Sequence, residues 1–193
     1  MTAEPGVGGP GATVGATYPE LRGRSAVVTG AASEGGIGEA IALALGRQGS
    51  HVTVVDVDVD GAERVASMVS DQGGEGRAVR ADVTDSASVA AMVAGVVRGE
   101  GGIDVLVNNA GGFPVMKAVT EITDEDWHST LDLNLKSAFL CSRAAIPHMA
   151  ERGRGRIINL ASVAGRTPTL PDPVHYSAAK GGVVMLSRCL AQE

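Results

Sequence analysis

A doubly wound α/β fold with a parallel sheet is what this sequence predicts, from two observations. Five short, nearly all-apolar runs rich in Val and Ile alternate with five longer stretches of helical periodicity. Strand, helix, strand repeated in this way demands right-handed crossovers and a sheet covered on both faces. The strand candidates are 25–29, 51–56, 78–81, 104–108 and 156–160; the helical stretches are about 38–48, 61–72, 86–98, 124–152 and 176–192. In the first helix Ile37, Ile41, Ala44 and Leu45 recur at helical spacing and are expected to face the sheet.

The 193 residues suit one domain. Residues 1 to about 23, rich in Gly, Pro, Ala and Thr without periodicity, read as a flexible leader, and the folded part begins near Arg24. With 16 basic and 22 acidic side chains the net charge is −6, which argues against a polyanion partner such as nucleic acid. Only five residues are aromatic (Trp 1, Tyr 2, Phe 2), so the core has to be aliphatic. No apolar run is long enough to cross a bilayer, and the N-terminus lacks the basic and apolar regions of a secretory signal, so a soluble cytoplasmic protein is expected. Cys141 and Cys189 read as two reduced, buried thiols.

In doubly wound folds ligands bind outside the carboxyl ends of the strands. After the first strand comes Thr29-Gly30-Ala31-Ala32-Ser33-Glu34-Gly35-Gly36-Ile37-Gly38, opening a helix. Glycines let backbone N–H groups approach a pyrophosphate, with the helix N-terminus aimed at it. That selects Gly30, Ser33, Gly36, Ile37 and Gly38 as cofactor-binding candidates. Asp56 closes the second strand, where a carboxylate can accept from both ribose hydroxyls of an adenosine and repels a 2′-phosphate. No Lys or Arg falls within 52–60, so NAD is expected over NADP. The alternative is that Asp56, Asp58 and Asp60 form a solvated acidic turn. Asp82 and Val83 follow the third strand, and Asn108, Ala110 and Gly111, within Asn108-Asn109-Ala110-Gly111, follow the fourth. Either group alone could be turn chemistry, since Asp, Asn and Gly favour turns; their place at strand ends makes them cofactor-binding candidates.

Tyr176 and Lys180 stand i, i+4 on a helix and share a face. A neighbouring ammonium favours the ionised form of a phenol. Ser162 lies just beyond the fifth strand, and Asn134 is a polar residue in an otherwise amphipathic helix. His128, His148 and His175 show no metal-ligand spacing, and no metal is expected.

Taken in order, Thr29-Gly30 to Gly36-Ile37-Gly38, Asp82-Val83, Asn108-Asn109-Ala110-Gly111, Asn134, Ser162 and Tyr176-Ser177-Ala178-Ala179-Lys180 resemble the short-chain dehydrogenase/reductase family, over nearly all the chain from Arg24 to Glu193. The resemblance implies a Rossmann-type sheet, and hydride transfer between a nicotinamide and a secondary alcohol or ketone. By that resemblance Tyr176 is the general acid/base, and Lys180 assists it and binds the nicotinamide ribose. Ser162 orients the substrate oxygen, and Asn134 holds a water that links Lys180 to solvent. The family's pairing of the helices through Asn134 and Tyr176 implies a homo-oligomer when complete.

Two departures from the family stand out. Five residues, rather than three, separate Gly30 from Gly36. Enoyl reductases of the same superfamily have a similar loop but a wider Tyr–Lys interval, so the interval here favours a carbonyl or alcohol substrate. Family members are also longer, so the sheet is expected to be incomplete at its C-terminal edge, leaving the fifth strand open. The competing expectation is a catalytically silent nucleotide-binding fragment. Specificity is expected in the loop 165–174, with Leu170 and Val174 as an apolar wall.

Overall fold

In a computed structural model, which describes residues 17–112, 116–167 and 173–193, five parallel strands form one sheet in the order β3-β2-β1-β4-β5. The strands are β1 (Ser25–Thr29), β2 (His51–Asp56), β3 (Glu75–Arg80), β4 (Val105–Asn108) and β5 (Arg156–Asn159). The helices are α1 (Ile37–Arg47), α2 (Val59–Asp71), α3 (Ser86–Glu100), α4 (Asp124–Leu131), α5 (Ser137–Glu151) and α6 (Val174–Leu190). The strand order reverses direction between β1 and β4, which makes their carboxyl ends the switch point where such folds bind ligands.

Alternation along the central strands builds two cores. Val27, Val55 and Leu106 pack with Val89, Val93 and Val96 of α3 and with Leu140, Cys141 and Ala145 of α5. Ala26, Val28, Val52, Val54, Val105 and Val107 point the other way, onto Ala42 of α1 and Ala62, Val65 and Val69 of α2. Burial on both faces explains why β1 and β4 read as nearly all-apolar runs. Asp58, Asp85 and Thr123 cap α2, α3 and α4 by accepting from Gly61, Ser88 and Asp126 N–H. Asp58 of the acidic turn is therefore a helix cap.

Several sequence expectations change. The buried stripe of α1 is Gly38, Ala42 and Gly46, while Ile37 is 66% exposed and Ala44 is exposed. Close approach decides this, since a Cβ at Gly46 would lie 3.0 Å from Val69 Cγ1. β3 begins at Glu75 rather than residue 78, because at the sheet edge charged Glu75, Arg77 and Arg80 alternate with less exposed residues. The expected helix 124–152 is interrupted by a π turn, Asp132–Lys136, that carries Asn134. Cys141 is buried as expected, but Cys189 is exposed near the end of α6.

Residues 1–16 of the expected leader lie outside the described residues, as does Leu170. Pro19–Leu21 forms a 3-10 turn fixed to the body: Tyr18 N–H donates to Gln48 Oε1 at 2.7 Å, and Ser50 Oγ donates to Leu21 O at 2.9 Å. Among the described residues β5 pairs only with β4, and Ile158 on it is 50% exposed, so the described sheet is open at this edge. Among the described residues no helix is long and apolar enough to cross a membrane.

Candidate functional site

The loop after β1 is seated on the loop after β4. Thr29 Oγ1 accepts from Asn109 N–H at 3.1 Å and from Ala110 N–H at 3.2 Å. Asn109 Nδ2 donates to Thr29 O at 2.9 Å and Gly30 O at 2.7 Å. Gly38 has to be glycine here, since a Cβ would stand 2.5 Å from Asn109 Nδ2 and 2.7 Å from Gly30 O. The N-terminus of α1 has Gly36 as its cap residue and no side-chain cap, so no capping side chain satisfies its first N–H groups.

Two adjoining cavities open over this junction. One, of about 230 Å³, is lined by Gly30, Ser33, Asp56, Asp82, Val83, Ala110 and Gly111, together with Val55, Val57, Ala81 and Leu133. The other, of about 280 Å³, is lined by Gly30, Ser33, Gly36, Ile37, Gly38, Gly111, Tyr176 and Lys180, together with Asn109, Gly112, Leu160 and Ala161. Gly30, Ser33 and Gly111 belong to both, so they are lobes of one groove with carboxylates at one end and the phenol and ammonium at the other.

At the carboxylate end, Asp56 Oδ2 accepts from Ala32 N–H at 3.0 Å, and Oδ1 accepts from Asp58 N–H at 3.2 Å. Asp82 Oδ1 accepts from Thr84 Oγ1 at 2.7 Å and Thr84 N–H at 2.9 Å. Those two bonds hold the Asp82 carboxyl below its ordinary pKa. No Lys or Arg lines this lobe, but Arg80 stands opposite Asp56 in the β2–β3 register. Arg80 is 24 residues from Asp56 in the chain and comes beside it only through the neighbouring strand.

At the other end, Tyr176 and Lys180 occupy the first two turns of α6 and are 9% and 4% exposed. Lys180 Nζ lies 5.8 Å from the centre of the Tyr176 ring and donates to Leu160 O at 2.8 Å. Burial pushes the Lys180 pKa below its ordinary value. Ser162 leads the 3-10 turn Val163–Gly165, and its Oγ accepts from Ala164 N–H at 3.2 Å. That turn lies on α6, where a Cβ at Gly165 would be 2.5 Å from Lys180 C. Asn134 Oδ1 accepts from Gly112 N–H at 2.9 Å, and its Nδ2 donates to Gly112 O at 2.7 Å and Thr130 O at 2.9 Å. A Cβ at Gly111 would fall 2.8 Å from Asn134 Oδ1 and 3.1 Å from Lys180 Nζ, which places both beside the same stretch of backbone.

Asn108, Asn134 and Ser162 are not among the groove-lining residues. The Asn108 side chain turns inward: its Nδ2 donates to Ser142 Oγ at 3.1 Å and Asn159 Oδ1 at 2.8 Å. Its neighbour Asn109 lines the groove instead, and Thr29, Leu160 and Gly112 complete the frame. Strand alternation was the available signal, since two consecutive asparagines at a strand end point to opposite sides.

Residues 24–193 match the family model for short chain dehydrogenases. The chain is 43% identical over 173 residues to D-threitol dehydrogenase of Mycolicibacterium smegmatis, covering 90% of this chain and 65% of that protein. It is 35% identical over 176 residues to glucose 1-dehydrogenase 2 of Bacillus subtilis, covering 90% of this chain and 67% of that one. The crystal structure of NAD⁺-bound xylitol dehydrogenase superposes with a TM-score of 0.85 at 32% identity, covering 90% of this chain and 65% of that one. The chain thus spans about two-thirds of the length of these relatives. The five-stranded sheet, the groove at its switch point and the match over 170 consecutive residues agree, and the chain belongs to the short-chain dehydrogenase family.

Proposed function

We propose that this chain carries the nucleotide-binding and proton-transfer parts of an oxidoreductase that uses NAD in preference to NADP and acts on a secondary alcohol or ketone. The observation that carries the reading is the continuity of the groove, with Asp56 at one end and Tyr176 with Lys180 at the other. A dinucleotide fits the residues present: uncapped N–H groups of α1 for the pyrophosphate, Asp56 for the adenosine ribose, and small Ala110 and Gly111 where a flat nucleoside must pass close to the backbone. The absence of Lys and Arg from the Asp56 lobe supports NAD. The relatives named above, dehydrogenases of threitol, xylitol and glucose, support a hydroxyl-bearing substrate.

The nicotinamide supplies or accepts the hydride, so the chain has to position the reactants, move one proton and stabilise charge on one oxygen. Tyr176 passes the proton to or from the substrate oxygen. The buried Lys180 ammonium stabilises negative charge on the phenol oxygen, and its bond to Leu160 O fixes its position. Ser162 donates from its hydroxyl to the substrate oxygen while its lone pair holds Ala164 N–H. Asn134 braces the loop at Gly112 and stands with Lys180 beside Gly111, where a water can relay protons to solvent. We also infer self-association through the helical stretch that carries Asn134 and through α6, which carries Tyr176; their outer faces expose Phe139 to 42% and Met185 to 54%.

Calorimetric titration with NAD⁺ and NADP⁺, run beside a turnover assay on secondary polyols, tests the reading. NAD⁺ binding several-fold tighter than NADP⁺, with turnover, is expected. Binding without turnover assigns the chain the nucleotide-binding role alone, and no binding of either dinucleotide overturns the proposal.

A further inference from the structure

The extra length of the loop between Gly30 and Gly36 has a structural counterpart. Gly36 N–H donates to Ser33 O at 3.0 Å, closing a turn with Gly35 at φ +66°. Ser33, Glu34 and Gly35 are all exposed, so no apolar packing fixes the turn. Charged side chains hold it from outside the groove. Arg64, on α2, donates through Nη2 to Ala32 O at 2.9 Å, and its Nη1 lies 2.8 Å from Glu39 Oε2. Glu39, on α1, accepts from Gly35 N–H through Oε1 at 3.3 Å. With Asp56 accepting from Ala32 N–H, both peptide groups flanking Ala32 are held.

We propose that Arg64 and Glu39 are positioning residues for dinucleotide binding, holding the lengthened loop so that its amides face the pyrophosphate. The inference rests on reading the groove as a dinucleotide site. Neither side chain lines the groove, so both act through the loop. In a trans peptide C=O and N–H point opposite ways, so directing Ala32 O at Arg64 directs Ser33 N–H away from it. Ser33 lines both lobes, and its amide is thereby presented to a ligand. Glu39 also cancels the Arg64 charge, so the brace adds no net positive charge near Asp56. The brace ties both α1 and α2 to the loop that precedes α1.

The test uses Arg64→Met, which keeps the apolar stem, Arg64→Lys, which keeps a donor, and Glu39→Ala. NAD⁺ affinity is read by calorimetry, and loop amide exchange is read in the ligand-free chain. Arg64→Met and Glu39→Ala are each expected to weaken NAD⁺ roughly tenfold, and the double variant is expected to be no worse than the weaker single, as for residues in one network. Arg64→Lys is expected to recover most of the affinity, and exchange at Ser33 to Gly36 is expected to quicken in Arg64→Met and Glu39→Ala without a matching change in the sheet. NAD⁺ binding by Arg64→Met and Glu39→Ala within about twofold of the unmodified chain would overturn this inference alone. Failure of the unmodified chain to bind either dinucleotide would overturn the groove reading and this inference with it.

Discussion

Lys180 Nζ donates to Leu160 O at 2.8 Å, which ties the helix carrying the ammonium to the chain two residues before Ser162. Burial to 4% exposure lowers the lysine pKa, so the folded chain releases this proton at lower pH than the unfolded chain. Between the two values the unfolded state binds more protons, and this group makes stability rise with pH up to the ordinary lysine value. Lys180→Met removes both effects. Turnover is expected to fall by about 10²-fold or more, while the alkaline rise in stability flattens and the melting temperature at neutral pH does not drop. Turnover assays and thermal melts at several pH values check both halves.

The proposed function gives Tyr176 the proton transfer, and Lys180 Nζ lies 5.8 Å from the centre of its ring at the groove. Tyr176→Phe keeps the ring and removes only the hydroxyl. Turnover is expected to fall by about 10²- to 10⁴-fold, with NAD⁺ affinity within about threefold of the unmodified chain. Near-normal turnover in this variant would remove Tyr176 from the acid/base role.

Gly38 marks where α1 meets both loops. In Gly38→Ala the methyl group would collide with Asn109 Nδ2, Gly30 O and Ala31 Cα, the last at 2.8 Å. Two of these contacts are with backbone, which cannot swing aside, and the third breaks the Asn109 bonds to Thr29 O and Gly30 O. A loss of about 1–3 kcal/mol in urea unfolding is expected, together with loss of dinucleotide binding.

How far the sequence carried depends on how local each signal was. β1 and β2 were legible to the residue, because strands buried on both faces have short apolar centres rich in β-branched residues, Ala26, Val27 and Val28 in β1 and Val52, Val54 and Val55 in β2. β3 lost its first half, because Glu75 and Arg77 alternate on an edge strand and look like loop. The π turn left no trace in the periodicity, since Asp132–Lys136 adds one residue to a helix whose flanks both read as helical. Tyr176, Lys180 and the glycines were legible as motifs, whereas Arg64 meets the loop only through helix packing and Arg80 stands opposite Asp56 only through strand register. Cys189 was misplaced because its helix is apolar in composition, but its own position faces outward.

Asp104 anchors the amino-terminal edge of the sheet, opposite the groove. It is 8% exposed; Oδ2 accepts from Ser25 N–H at 3.2 Å, and Oδ1 accepts from Arg154 Nε at 2.8 Å, with Arg152 Nη2 at 3.4 Å and Arg24 Nη1 at 3.8 Å. Burial alone would raise its pKa, but the Ser25 amide, the Arg154 bond and the two guanidinium charges outweigh it and hold the carboxyl below its ordinary value. A carboxyl depressed in the folded state stabilises the fold above its unfolded pKa, and that contribution is lost as the pH falls through the folded value. Asp104→Asn keeps the shape but leaves guanidinium groups without their counter-ion. At neutral pH it is expected to cost about 1–3 kcal/mol, a range reduced for the exposure of Arg154. Below the ordinary carboxyl value of 3.8 the unmodified chain loses this advantage, so the two urea-unfolding curves are expected to converge as the pH falls. A constant gap between them down to pH ~2 would show that Asp104 acts through packing and not through its charge.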